Sequence, residues 1–174
     1  MQKLTLILGG CRSGKSSHAL LLAEKINAPH KIFLATCVPS DPEMHARVKR
    51  HQEERSAFWQ TMEVPTLLPK ALQDISAKAD LVLIDCITLW VSNLMLESDQ
   101  QEVLQDHLKQ LCNALKGMHC PVFLVSNEVG CGIVPENKLA RLFRDAAGFA
   151  NQELAGICDQ VIWMVAGIPV KIKG

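Results

Sequence analysis

Gly9-Gly10-Cys11-Arg12-Ser13-Gly14-Lys15-Ser16 fits the pattern G-x-x-x-x-G-K-[ST]. The apolar run LTLIL (residues 4–8) leads into it, and a helix-period segment carrying Ala19, Leu20, Leu22, Ala23 and Ile26 follows. Strand, glycine-rich turn and helix in that order make a phosphate loop. The glycines let the backbone curl so that its N–H groups point at a triphosphate, and the helix adds its positive N-terminal end. Lys15 is placed to reach the β and γ phosphates, and Ser16 to ligate Mg²⁺.

Outward from the loop, strand-length apolar runs recur at KIFLA (31–35), LVLID (81–85), VFLVS (122–126) and QVIWMVA (160–166). Near-continuous apolar character suits strands buried on both faces of a parallel sheet. Helix-period segments lie between them, roughly at 15–26, 42–57, 67–76, 100–116 and 137–156. The alternation predicts an α/β fold of the P-loop NTPase type, a mostly parallel sheet flanked by helices. The closing GIPVKIKG adds a short edge strand. No repeat, linker or low-complexity run interrupts the chain, so residues 1–174 are expected to form a single nucleotide-binding catalytic domain.

A phosphate loop needs a second acid for its metal. Asp85 ends the strand LVLID, where its carboxylate emerges at the sheet edge beside the loop, the Walker B position. Several phosphate-loop classes are excluded. Asn137-Lys138-Leu139-Ala140 lacks the Asp of the guanine-reading N-K-x-D motif, no D-x-x-G follows Asp85, and no LSGGQ-like signature occurs. A small enzyme transferring part of a nucleoside triphosphate to a small molecule remains.

Composition agrees. Lys plus Arg (18) balances Asp plus Glu (18), so no net field favours nucleic acid or acidic membranes. Hydrophobic residues are 48% and charged residues 21%, ordinary for a globular protein. The seven cysteines form no C-x-x-C pair and read as free thiols in a reducing compartment. No run approaches a membrane span, and the first apolar run is too short for a signal peptide. The expected location is the cytoplasm.

One basic stretch stands apart: RVKRHQEER, residues 47–55. Asp41-Pro42-Glu43 starts a helix ahead of it, with an Asp cap, Pro in the first turn and an acid near the positive end. On that helix, with His51 at zero, Arg47 and Arg55 lie at about −40° and +40°, and Met44, Val48 and Phe58 at about +20°, +60° and −20°. The imidazole thus shares a face with apolar residues and has an arginine one turn away on each side. Three readings fit: a histidine at the core edge with snorkelling arginines, a kinase lid clamping phosphate oxygens, or a nucleophile whose attack on phosphorus the guanidiniums support. Geometry alone does not separate clamp from nucleophile.

The segment Asp41-x-Glu43-Met44-x-x-Arg47-Val48-x-x-His51-x-x-x-Arg55, followed by Trp59-x-Thr61-x-Glu63, resembles the signature of the bifunctional adenosylcobinamide kinase / adenosylcobinamide-phosphate guanylyltransferase family of cobalamin biosynthesis. GGCRSGKS resembles that family's GGxRSGKS, and Cys86-Ile87-Thr88 to Asn93-Leu94 resembles its segment after the Walker B strand. Asn127-Glu128-Val129-Gly130-x-Gly132-Ile133-Val134-Pro135 and Arg141-x-Phe143-Arg144-Asp145 resemble its C-terminal half. The likeness runs from residue 5 to the closing VKIK. Two positions depart from the family: Ser56 where Pro is common, and Asp85 where Glu is common.

The resemblance implies two reactions on one site. A nucleoside triphosphate, GTP or ATP, phosphorylates the hydroxyl of adenosylcobinamide's aminopropanol arm. GTP then gives GMP to the resulting phosphate, through a histidine–GMP intermediate at the position of His51. The resemblance further implies that Gly9, Gly10, Cys11, Arg12, Ser13, Gly14, Lys15 and Ser16 hold phosphates, and that Ser16 and Asp85 serve Mg²⁺. It implies that Glu63 accepts from guanine, that Thr36, Cys37, Gln52, Glu53, Glu54 and Arg55 line the nucleotide, and that the protein is a homotrimer. Arg47 and Arg55 are expected to stabilise phosphate charge, with Lys15 and His51 as catalytic residues. A plain phosphate-loop kinase with an inert His51 is the competing enzyme class, and a non-catalytic nucleotide-binding subunit the third. Glu128, just after VFLVS, is a candidate base for the hydroxyl, or a loop acid with no role.

Overall fold

A computed structural model describes residues 4–39, 42, 46, 56, 58–98 and 100–174. Seven strands form one sheet: β1 (Leu4–Gly9), β2 (Lys31–Ala35), β3 (Trp59–Glu63), β4 (Leu81–Asp85), β5 (Val122–Asn127), β6 (Gln160–Val165) and β7 (Ile168–Lys173). Their spatial order is β3-β2-β4-β5-β1-β6-β7. All neighbours are parallel except β6 and β7, which are antiparallel. The helices are α1 (Lys15–Glu24), α2 (Leu68–Ile75), α3 (Ile87–Glu97), α4 (Gln101–Lys116) and α5 (Lys138–Ile157). This is the predicted α/β class, with the phosphate-loop strand near the middle of the sheet.

Alternation along the strands explains the near-continuous apolar runs. Leu4, Leu6, Val82 and Ile84 face a core shared with α2, α3, α4 and α5. Ile7, Leu81, Leu83 and Val125 face the other side, where Ala19 and Ala23 of α1 pack. Both faces are therefore dry, and every residue of such a strand is apolar for its own reason.

Two elements escape the sequence reading. β3, WQTME, pairs only with β2 and has one fully packed apolar residue, Trp59, so it shows no strand-like run. α3, absent from the expected helices, directly follows the apolar strand β4. It is buried through Ile87, Thr88, Trp90, Val91 and Leu94 and rich in β-branched residues that favour strands locally. Packing against α4, α5 and β5 overrides that preference. Trp90 Nε1 donates to Thr66 O at 2.7 Å, which satisfies its polar edge inside the core.

The expected helix over 42–57 lies almost wholly outside the described residues; Pro42 and Ala46 are helical. The closing edge strand is present as β7. It joins β6 through Ala166 and Gly167, both at positive φ (51° and 83°), the geometry of a tight hairpin turn.

Candidate nucleotide site

The C-terminal ends of the parallel strands bring the site together, as the topology of open α/β sheets requires. Glu63, Ala35 and Asp85 are register partners across β3, β2 and β4. Asn127, Gly9 and Met164 are partners across β5, β1 and β6. The phosphate loop leaves the end of β1, which lies between β5 and β6.

The loop is held by its own backbone and by distant elements. Ser13 N donates to Gly10 O at 3.3 Å, and His18 N to Gly14 O at 2.9 Å, opening α1. Gly14 has φ 89°, left-handed backbone that a side chain would strain. A Cβ on Gly9 would meet Ser13 Oγ at 2.5 Å and Met164 O at 2.7 Å, so residue 9 must be glycine for the turn to close. From the far end of the chain, Gly167 N donates to Ser13 O at 3.2 Å.

Lys15 is buried, and its Nζ donates to Gly10 O at 2.7 Å across the loop. Asp85 is half-buried at the end of β4. Both charges act on Cys86: burial foremost, then the Asp85 carboxylate, pushes that thiol up to about 12, while Lys15 opposes the shift. Cys86 is therefore a neutral packing residue lying within electrostatic reach of both groups. Ser16 lies in the first turn of α1 and is half-buried. Hydroxyl and carboxylate are hard oxygen donors, the set Mg²⁺ takes when phosphates and water complete its shell. No group of three or more His, Cys, Asp or Glu side chains placed to hold a metal ion occurs among the described residues.

The remaining sequence-predicted residues divide three ways. Glu63 is exposed at the end of β3, and Cys37 is half-buried just past β2. Thr36 is fully buried; its hydroxyl accepts from Cys86 N at 2.8 Å and donates to Cys86 O at 2.7 Å, tying β2 to β4. Asn93 Nδ2 binds Thr36 O at 2.8 Å and fixes the same loop to α3. Arg47, His51, Gln52, Glu53, Glu54 and Arg55 lie outside the described residues.

Two groupings were not visible in the sequence. Asn127 is clamped, its N donating to Thr88 Oγ1 at 2.6 Å and its O accepting from Asn151 Nδ2 at 3.1 Å. An amide on the apolar stripe of α5 was the available signal for the second bond. At the opposite sheet edge, Glu24 accepts from Lys31 Nζ (2.7 Å), Trp59 Nε1 (2.7 Å) and Ser56 Oγ (2.9 Å). Lys31 also sits over the Trp59 ring at 5.8 Å. The hub ties α1, β2 and β3 to Ser56, the residue that immediately follows the basic stretch.

Among comparisons with known proteins, the family model described as "CobU: Cobinamide kinase / cobinamide phosphate guanyltransferase" matches residues 5–172. The bifunctional adenosylcobalamin biosynthesis protein CobU of Salmonella typhimurium is 41% identical, over 98% of this chain and 99% of its own. The corresponding CobP of Pseudomonas aeruginosa is 39% identical, over 97% and 96%. In the backbone, the chain resembles an ATPase from a type III secretion system of pathogenic bacteria (TM-score 0.65, 12% identity, 94% of this chain and 52% of that one). It also resembles a KaiC-like protein from Pyrococcus horikoshii (TM-score 0.51, 14% identity, 92% and 70%). At such identities these structures speak to the fold alone, that of P-loop NTPases.

The Glu24 hub has a pH signature. The hydrogen bond from Lys31 foremost, with those from Trp59 and Ser56, holds the Glu24 carboxyl below its usual value of 4.5, against an opposing push from burial. A carboxyl lowered on folding stabilises the fold above its unfolded value, and the gain disappears as pH falls through the lower folded value. Glu24→Gln should cost about 1 kcal/mol near neutral pH, discounted for partial exposure, and progressively less below about pH 4.5. Urea unfolding at several pH values tests this; a cost that stays constant down to acid pH would show the charge to be irrelevant.

Proposed function

The chain belongs to the cobinamide kinase / cobinamide phosphate guanyltransferase family, a family of transferases, and we propose that it carries out both reactions at one nucleotide site. A nucleoside triphosphate phosphorylates the hydroxyl of adenosylcobinamide, and GTP then transfers GMP to adenosylcobinamide phosphate with release of pyrophosphate. The observation that carries this reading is the match over residues 5–172 in a chain whose phosphate loop ends in a buried Lys15 and whose β4 ends in Asp85.

Both reactions gather negative charge along a triphosphate, so both are served by positive groups fixed in advance. In this reading the backbone of Gly9–Ser16 wraps the phosphates, and Lys15 leaves Gly10 O to neutralise their β and γ oxygens. Ser16 and Asp85 hold Mg²⁺, which supplies further charge neutralisation when bound. Thr36 shapes the nucleotide pocket through the loop it fixes, since its hydroxyl is committed to Cys86, while Cys37 and Gln52–Arg55 line it. His51 attacks the α-phosphorus of GTP and carries GMP to the second acceptor, with Arg47 and Arg55 stabilising the charge on the phosphoryl oxygens. Glu63 accepts from guanine N1 and N2.

The proposed assembly is a homotrimer in the cytoplasm. Trp163 and Val165 of β6, with Ile168, Val170 and Ile172 of β7, leave an apolar face exposed at the sheet edge, which suits a second copy of the chain. The free cysteines suit a reducing compartment, and among the described residues no helix is long and apolar enough to cross a membrane.

Isotope position tests the mechanism. Protein mixed with Mg²⁺ and GTP should take label from the α-phosphate and none from the γ-phosphate, and the label should survive alkali but not mild acid, as a phosphorus–nitrogen bond does. His51→Ala should take up no label while still phosphorylating adenosylcobinamide. Unchanged α-label in that variant would move the nucleophile to another histidine, with His18 and His45 next in line. No α-label in the wild type, with phosphorylation intact, would leave a plain kinase.

Glu63→Gln should weaken GTP by about 1–3 kcal/mol and ATP far less, because adenine offers no matching pair of donors. Equal weakening in a calorimetric titration would remove Glu63 from the base pocket. Sedimentation equilibrium should read three chains, and a monomer at micromolar concentration would refute the assembly.

A further inference from the structure

The two proposed acceptors differ in one chemical respect. An alcohol must lose its proton as it attacks phosphorus, whereas a phosphate monoester, with a second pKa of about 6, is already an anion near neutral pH. The first reaction therefore needs a base that the second does not.

Among the described residues, three acids stand at the C-terminal ends of the parallel strands: Glu63, Asp85 and Glu128. Glu63 lies on the edge strand β3, three places from β5 in the sheet order with β2 and β4 between them, and Asp85 has the proposed metal-binding position. Glu128 directly follows β5, the strand lying between β4, which ends in Asp85, and β1, which feeds the phosphate loop. Its backbone N donates to Gly9 O at 3.0 Å, which joins it to the first residue of the loop.

The turn that carries it is built to hold a carboxylate. Gly130 N donates to Glu128 Oε1 at 2.7 Å. Arg144 Nη2 in turn donates to Gly130 O at 2.6 Å, and the Asn127 clamp fixes the residue before. A Cβ on Gly130 would lie 2.8 Å from Oε1, so the carboxylate tip packs directly against the Gly130 backbone. The described residues give Oε1 a partner and leave the second oxygen of the half-buried side chain without one. Arg144 Nη1 and Ser13 Oγ are buried polar atoms with no hydrogen-bond partner among the described residues.

We propose that Glu128 is the general base of the phosphorylation step and has no part in guanylyl transfer. The proposal rests on the two-reaction reading above. The acceptor hydroxyl oxygen forms a bond to the γ-phosphorus while its proton passes to the unanchored oxygen of Glu128. The bond from the γ-phosphorus to the bridging oxygen breaks, and its electron pair leaves with the nucleoside diphosphate. Arg144 acts as a positioning residue, through Gly130.

Glu128→Gln keeps an oxygen for Gly130 N and removes the base. Its phosphorylation of adenosylcobinamide should fall about 10²–10⁴-fold in kcat, the range for a lost general base, with the KM for the triphosphate unchanged. Guanylyl transfer to supplied adenosylcobinamide phosphate should stay within about threefold of wild type. In Glu128→Ala, added formate should restore part of the phosphorylation rate and leave guanylyl transfer unaffected. Phosphorylation by Glu128→Gln within tenfold of wild type, parallel loss of both activities, or no formate rescue in a folded Glu128→Ala protein would each overturn the assignment. Failure of the wild type to phosphorylate adenosylcobinamide would instead defeat the two-reaction reading, a result read before any variant is made.

Discussion

The phosphate loop turns through a gap that only an absent side chain leaves open. At residue 9 a Cβ would press on Ser13 Oγ and on the carbonyl of Met164, and the second of these is backbone of β6 that cannot step aside. Because the gap exists, β1 stays paired with β6 as far as Gly9 and Met164, and Ser13 folds back over the strand end. Ser13 O can then receive Gly167, and Lys15 can lie along the loop toward Gly10 O. Strand register, loop shape and lysine direction thus follow from one close approach, at a site where the backbone itself faces the ligand.

Legibility in the sequence followed the range of the interactions involved. The central strands could be read because burial on both faces writes an apolar residue at every position, as at Leu6 and Ile7 or Leu83 and Ile84. The edge strand β3 has one neighbour and mostly exposed residues, so its pattern carries no such mark. α3 is buried on most of its surface and loses the contrast between faces that announces a helix. The phosphate loop is a local device and was evident from eight residues, and Asp85 was evident from the strand that delivers it. The Glu24 hub and the Asn127 clamp were not. Each gathers polar groups from several elements that meet only once the chain has folded.

The sheet edge also separates the proposed tasks in space. From the phosphate loop on β1, the order β5, β4, β2, β3 leads past Glu128, then Asp85, then the Thr36 loop, and ends at Glu63. In the proposed reading this sequence runs from the acceptor's proton, through the metal, to the guanine. One bound triphosphate can then be attacked at either end of its phosphate chain without moving the groups that neutralise it. In that reading the fixed charges of Lys15 and Asp85 serve both steps, while Glu128 and Glu63 each serve one end.

The hairpin turn at Ala166–Gly167 has a consequence for how the protein is made. β1 takes both of its sheet neighbours, β5 and β6, from the second half of the chain, and the loop after it leans on a turn near the other terminus. A ribosome therefore delivers the nucleotide motif well before the strands and the turn that support it. Until β6 and its hairpin have emerged, the nascent chain carries the complete signature of a nucleotide-binding protein without the architecture that holds the loop in shape. The motif legible earliest in the chain thus takes its shape only after much later segments have joined it.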